Sequence, residues 1–114
     1  MKVINLVADY EVASGQVTLS VIVGDAQIGS SVVKLGSREV ARGVIADAPI
    51  GVGAEIRKQP LFLKSVVTDV NDSTNHTSVT YALRGGRKDQ QFLSAGTVDQ
   101  NGDSIIYRAK FNLV

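Results

Sequence analysis

The chain has 114 residues, of which 44% are hydrophobic, so it is long enough to bury one core and too apolar for intrinsic disorder. Its 12 basic and 11 acidic residues leave a net charge of +1 and are scattered along the sequence, which argues against a nucleic-acid partner. There is no cysteine, which excludes disulfides, thiolate metal ligands and a thiol nucleophile. No apolar run approaches the roughly 20 residues that span a bilayer.

We therefore expect residues 1–114 to form a single domain that contacts neither nucleic acid nor a membrane. The N-terminal apolar stretch is interrupted by Asn5 and closed by Asp9, which makes it a poor match to a signal peptide. This favours a complete protein of the cytoplasmic type.

Alternation of apolar and polar residues is the dominant pattern, and turn residues interrupt it. Val17, Leu19 and Val21, for example, alternate with Thr18 and Ser20. This period of two residues predicts a strand rather than a helix. In chain order, strands are predicted near residues 2–12, 16–23, 26–35, 61–70, 77–84, 90–99 and 104–113.

Five short turns separate consecutive predicted strands, and each turn allows a hairpin that stacks apolar residues on one face. The predicted turns are Ser14-Gly15, Gly24-Asp25, the loop 71–75, the loop 85–88, and Asn101-Gly102. The corresponding cross-strand neighbours are Val12 with Val17, Val21 with Ile28, Val67 with Val79, Tyr81 with Phe92, and Val98 with Ile105. These pairings predict a three-stranded meander followed by a four-stranded meander.

The segment between the two meanders, residues 36–60, is predicted to be mostly irregular. Ser37 is positioned to cap a short helical turn over residues 38–42, and residues 50–56 are predicted to add one short strand. Because a long connection suits a crossover between sheets, the predicted fold class is an all-β, antiparallel β-sandwich of about seven to eight strands. The alternative is a small closed β-barrel that binds a small molecule, its interior left open by the small inward residues Ser65, Ser94, Gly96 and Ala109.

Side chains suited to catalysis are scarce in this sequence. The single histidine, His76, follows a polar loop, and no nucleophile motif accompanies it. We therefore predict that the protein is not an enzyme.

Acidic residues are the candidate metal ligands. Asp99, Asn101 and Asp103 alternate as oxygen donors do at the start of a calcium loop, but the later glycine and glutamate of such a loop are missing. In a meander, Asp69 and Asp72 would lie at the same end of the sheet. A weak divalent-cation site for calcium is therefore a third hypothesis for the function, with the ligands Asp69, Asp72, Asp99, Asn101 and Asp103. No other cofactor is predicted.

The outward side of the strand at 61–70 is unusually apolar. Five of the six aromatic residues are predicted to face the core, which leaves Phe62 outside and weakens a carbohydrate-binding interpretation. Phe62, Val66 and Val70 share this outward side, where a solvated sheet should be mostly polar. A cover is therefore expected, either residues 36–60 or a second subunit packed face to face or edge to edge.

The favoured function is accordingly a non-enzymatic binding or assembly module. It would self-associate as a homo-oligomer, or dock on a protein partner, through Phe62, Val66 and Val70.

Overall fold

Two β-sheets packed face to face make up the protein in the computed structural model, which describes all residues 1–114. The elements are β1 (Lys2–Tyr10), β2 (Gln16–Val23), β3 (Ile28–Leu35), β4 (Arg38–Gly43), β5 (Ala48–Val52), α1 (Gly53–Ile56), β6 (Pro60–Thr68), β7 (His76–Arg84), β8 (Gln90–Thr97) and β9 (Ser104–Leu113). The all-β sandwich is confirmed, with nine strands in place of seven or eight. No helix is long and apolar enough to cross a membrane.

One sheet has five strands in the order β1-β9-β6-β3-β4, and the other has four in the order β5-β2-β7-β8. Every pair is antiparallel except β1 with β9, which run parallel from Lys2 opposite Ile105 to Tyr10 opposite Leu113. Neither sheet closes on itself, so the alternative of a closed barrel is wrong.

The predicted hairpins are correct at one of the five turns. β7 and β8 pair as expected, with Tyr81 opposite Phe92. The other four predictions are wrong because the chain crosses to the opposite sheet at each turn. Val21, for example, lies opposite Tyr81 rather than Ile28, and Val67 lies opposite Ile105. The predicted face of β3 is also wrong, because Ile28 is 60% exposed and the other side of the strand, with Val33 and Leu35, is buried. Alternation limits a strand to two possible buried sides, but it leaves the identity of the neighbouring strand open.

The same crossovers overturn the pairing of Val12 with Val17, since β1 and β2 lie in different sheets. They also overturn the pairing of Val98 with Ile105, because β8 and β9 are separated in the same way.

Residues 36–60 are more regular than predicted. The expected helical turn at residues 38–42 is wrong, because this segment is β4, which pairs with β3 across a tight turn at Gly36, where φ is +61°. β5 is shorter than the predicted strand and runs into α1. β4 and β5 are edge strands of different sheets, so the segment does not cover Phe62, which stays 40% exposed.

The core lies between the two sheets and contains the predicted aromatic side chains. Phe111 of the five-stranded sheet contacts Phe92 and Tyr81 of the other sheet, with ring centroids 5.0 Å and 5.7 Å apart. The small inward residues leave no open interior. Ser65 shares a 2.6 Å hydrogen bond with the hydroxyl of Ser31. At Gly96 an added Cβ would lie 2.3 Å from Ile4.

A buried glutamine ties the two sheets together where the chain crosses from β6 to β7. Gln27 accepts hydrogen bonds at Oε1 from the backbone N–H groups of Val70, at 2.7 Å, and Asn71, at 3.0 Å. Its Nε2 donates to the carbonyl oxygen of His76 at 3.1 Å. Because both ends of the amide are used in the interior, this side chain fixes the crossover.

Candidate functional site

The outward side of the five-stranded sheet carries a surface that we name the cationic face. Its side chains form two rows across the strands, because directly paired residues project to the same side. One row consists of Val7, Lys110, Phe62, Lys34 and Glu39, and the other of Asn5, Arg108, Lys64, Val32 and Arg42. Together they line a shallow concavity of about 580 Å³.

Sheet topology assembles this face from residues that are distant in the sequence. Lys64 lies directly opposite Arg108, and Phe62 lies between Lys110 and Lys34. Neighbouring strands are about 4.8 Å apart, so four of the cations crowd around one exposed aromatic ring. Basic residues are therefore scattered along the sequence but clustered on this face of the folded protein.

The positive charge of the cationic face is mostly unbalanced. Five of the chain's 12 basic residues belong to it. Its one acid, Glu39, is paired with Arg42, with Nη2 and Oε1 2.6 Å apart. The hydrogen bond from Arg42 holds the pKa of Glu39 below its ordinary value and raises the pKa of the guanidinium. At the end of the sheet, Asp9 accepts a 3.0 Å hydrogen bond from Asn112.

The other four cations, Lys34, Lys64, Arg108 and Lys110, are exposed and form no ion pair, since the only other salt bridge joins Arg87 to Glu11. Like charges placed directly opposite one another in a sheet are destabilising. The placement of Lys64 opposite Arg108 therefore costs the isolated protein some stability.

An apolar row borders the cationic face. Val3, Ile106 and Val66 are neighbours across three strands. Phe62 and Val66 are 40% and 37% exposed on the same side of β6. Val70, the third residue of the predicted contact surface, is exposed but lies in the loop after β6, where its N–H is held by Gln27. The structure thus places Phe62 and Val66 on the same side of β6, with Lys64 between them, and places Val70 in the loop beyond the strand.

The predicted calcium ligands gather at one end of the sandwich, because β6 ends beside the start of β9. The N–H of Asp69 donates to the carbonyl oxygen of Asp103 at 2.9 Å, and Asn101 Nδ2 donates to Asp72 Oδ1 at 3.4 Å. The Asp103 carboxylate caps a turn by accepting from the N–H of Gln100 at 3.1 Å.

These carboxylates do not converge on a common point. No group of three or more His, Asp or Glu side chains could hold a metal ion together. Asp99 forms a hydrogen bond at this end only through its main-chain carbonyl oxygen, which accepts from Asn75 Nδ2 at 3.3 Å. Asp69 is buried, and one of its carboxylate oxygens has no hydrogen-bond partner. The calcium site stays a prediction.

His76, the only histidine, begins β7 and is exposed. Its backbone N–H donates to Thr74 Oγ1 at 3.0 Å and its carbonyl oxygen accepts from Gln27, so its main chain has a structural role at the crossover. Its imidazole forms no hydrogen bond within the protein, and the arrangement around it resembles no catalytic triad.

The sequence predicted that Phe62 and Val66 face outward, as they do in the structure, but it did not predict the cations beside them. Part of the signal was present, because Lys64, Arg108 and Lys110 occupy outward positions of predicted strands. Lys34 was hidden, because the predicted pairing of Val21 with Ile28 turned its side of the strand inward. Only the order of the strands could show that these positions meet.

No protein-family model matches the chain, and no curated protein or solved structure is significantly similar to it.

Proposed function

We propose that the protein is a non-catalytic binding module that docks an acidic protein partner on its cationic face. The observation that carries this proposal is the combination of four unpaired cations with an exposed phenyl ring in one concavity. Aromatic and Arg side chains are the residues most often responsible for binding energy at protein interfaces.

Charge favours a different protein over a second copy at this surface. In a two-fold contact the same patch meets itself, so the cationic faces of two protomers would set their cations against each other. Such like-charge contacts cost several kcal/mol. A partner rich in Asp and Glu relieves the repulsion that the free protein keeps on this face.

The apolar side chains favour a partner that is amphipathic. Phe62 and Val66 offer apolar surface that an acid alone would not use. Burial of such surface contributes roughly 25 cal/mol per Å² before the costs of association. Successive side chains of an extended segment point to opposite sides, so acidic and aliphatic residues reach the face together only when they alternate at every second position. An extended segment with this pattern matches both features of the face.

A titration with two short peptides tests the proposal. In one peptide Glu and Leu alternate at every second position with Ser between them, and in the other peptide Lys replaces Glu. Amide chemical shifts of ¹⁵N-labelled protein should change along β6 and β9 with the acidic peptide, and not with the basic one. The affinity should also fall with increasing salt, because the face is solvated.

A matched pair of variants localises the contact. Combining Lys64→Glu with Arg108→Glu should weaken binding by on the order of tenfold or more, by replacing attraction with repulsion. The control combines Arg84→Glu with Lys88→Glu, which makes the same change of charge at exposed positions in and next to the other sheet and should leave binding unchanged.

Three results would overturn the proposal. These are equal binding of both peptides, shifts confined to other strands, and a single-stranded oligonucleotide that binds this face more tightly than the acidic peptide.

A further inference from the structure

The four edge strands of the sandwich differ in how they are protected against pairing with another chain. β4 carries three charged residues and an irregular register with β3. β5 contains Pro49 and an irregular register with β2. β1 carries Lys2 and Asp9. β8 has eight residues without a charge or a proline, and its pairing with β7 is unbroken. An edge of this kind is a template for a further strand.

One hydrogen bond shows which backbone groups of β8 are not bonded to β7. The N–H of Val98 donates to the carbonyl oxygen of Asn75 at 3.0 Å. Alternate residues of an antiparallel strand point their backbone groups to opposite sides. The even-numbered residues of β8 therefore bond to β7, and the odd-numbered ones, Gln91, Leu93, Ala95 and Thr97, point away from it.

One of these outward carbonyl groups is already used. The ammonium of Lys2 donates to the carbonyl oxygen of Thr97. Free N–H and C=O groups remain at Gln91, Leu93 and Ala95, which are symmetric about Leu93.

Apolar side chains are also incompletely covered beside this edge. Ile4, Leu6 and Phe92 belong to the core but are only partly buried, because β1 and β8 are the last strands of their sheets on this side. On the outer surface Leu93 is 67% exposed. A strand added to β8 would reduce the exposure of both groups.

We propose that β8 pairs antiparallel with β8 of a second copy, around a two-fold axis at Leu93, to form one continuous eight-stranded sheet. Leu93 then lies opposite its own counterpart, and Gln91 lies opposite Ala95 on both sides of the axis. All three free positions of each strand are satisfied, with six backbone hydrogen bonds expected for three such pairs.

Charge supports a second copy as the occupant. In this register Asp89, just before β8, lies opposite Thr97 of the other copy, whose carbonyl oxygen binds Lys2. The dimer therefore places a carboxylate near an ammonium at both ends of the interface. Shifting the axis to Ala95 would require the occupied Thr97, and shifting it to Gln91 would move Ala95 beyond the end of the partner strand.

This inference does not rest on the proposed function, because it uses the other sheet. Since the axis is perpendicular to the joined sheet, both cationic faces would point in the same direction. Two binding surfaces on one side would allow bivalent docking.

Sedimentation velocity at increasing protein concentration tests the dimer. Leu93→Lys places two ammonium groups at the axis and should weaken association by on the order of tenfold or more. Because Leu93 is exposed, this variant should fold normally. The matched control is Ile22→Lys, which changes an exposed residue of the same outer surface two strands from the edge and should leave association unchanged.

A distance measurement tests the geometry. Ile22, Thr80 and Leu93 are neighbours in one row, so two copies joined at Leu93 separate the Ile22 positions by five strand spacings. Nitroxide labels on Ile22→Cys, in a chain without other cysteines, should therefore report a backbone separation of about 24 Å, before the label linkers are included.

Several results overturn the proposal. The proposal is wrong if the protein is a monomer at high micromolar concentration. It is also wrong if the protein forms a dimer that the Leu93→Lys substitution does not weaken. A dimer whose labels give about 10 Å would have stacked its four-stranded sheets face to face, and such a dimer contradicts edge pairing.

Discussion

The outer surfaces of the two sheets contrast although the sheets share one core. The five-stranded sheet presents a concavity lined by five basic residues, whereas outward residues within the strands of the other sheet, such as Ser20, Ile22, Thr80 and Leu93, carry no charge. Inward positions must be apolar for either sheet to bury its face. Outward positions are free of that demand, so the two surfaces are able to serve different contacts.

Strand edges show a second contrast. β4 combines charges with a register shift, both of which discourage pairing with a foreign strand, while β8 has neither. Charge is thus concentrated on one sheet's face and absent from the other sheet's edge. Substitutions in the core should affect both sheets, whereas substitutions on an outer surface should affect only one.

Phe111→Ala should lower the free energy of unfolding by about 3–5 kcal/mol, because it removes the ring of the five-stranded sheet that contacts Tyr81 and Phe92 of the other. Urea denaturation followed by circular dichroism and by tyrosine fluorescence should show one coincident transition. Phe62→Ala, the control, removes an exposed ring and should cost less than about 1 kcal/mol. Separate transitions would mean that the sheets unfold independently.

Gln27→Leu should lower stability by about 2–3 kcal/mol, because it leaves the N–H of Val70 and the carbonyl oxygen of His76 without their buried partner. Thermal denaturation measures the change. Gln91→Leu, at an exposed position of β8, should have little effect on the monomer. An equally small effect of Gln27→Leu would show that water replaces the amide.

Tyr107→Phe should cost about 1 kcal/mol, since the Tyr107 hydroxyl shares a buried 2.6 Å hydrogen bond with Thr77. Tyr81→Phe should be neutral or slightly stabilising, because the buried Tyr81 hydroxyl has no hydrogen-bond partner. Urea denaturation of the two variants compares one tyrosine from each sheet. The reverse order of stability would contradict the assigned partners.

Alkaline pH should destabilise the protein through its buried tyrosines. Burial raises the pKa of Tyr10, Tyr81 and Tyr107, so the folded state holds these phenolic protons after the unfolded chain has released them. The stabilisation is complete below the unfolded pKa of about 10 and is lost as the pH rises above it. The melting temperature should therefore fall above about pH 10, less steeply in Tyr81→Phe. A melting temperature independent of pH in this range would contradict the burial.

Lys64→Gln should raise stability by a few tenths of a kcal/mol at low salt, because it removes a cation that lies opposite Arg108. The gain should disappear at high salt, where the repulsion is screened. Arg84→Gln, on the other sheet, should show no such dependence on salt. If the stabilities of the two variants depend on salt in the same way, repulsion between the cations of the cationic face does not destabilise the protein.

Periodicity was sufficient to predict which side chains are buried in most strands, but not in β3, where Ile28 was predicted to face inward and is exposed. Val17, Leu19 and Phe111 occupy alternate positions of their strands, and burial of one side follows from the geometry of a strand whatever its neighbours are. The exposed pair Phe62 and Val66 was predictable for the same reason.

Strand order was not predictable from the same pattern. Val21 fits equally well against Ile28 or Tyr81, because both are apolar, and only packing of the whole sandwich selects Tyr81 and leaves Ile28 60% exposed. β4 was mistaken for a helical turn because a cap residue precedes helix-compatible residues, and its pairing with β3 overrides that local preference. The cationic face depends on strand order, so it could not be predicted from the sequence pattern either.

The parallel alignment of β1 with β9 governs when the fold can be completed during synthesis. Lys2 lies opposite Ile105, so β1 must wait until the ribosome has made β9 before the hydrogen bonds between these two strands can form. Pairings so far apart in sequence close slowly, because a long loop loses entropy before any contact is gained. The nascent chain consequently exposes Ile4 and Leu6 throughout translation, and late acquisition of β9 should set the pace of folding.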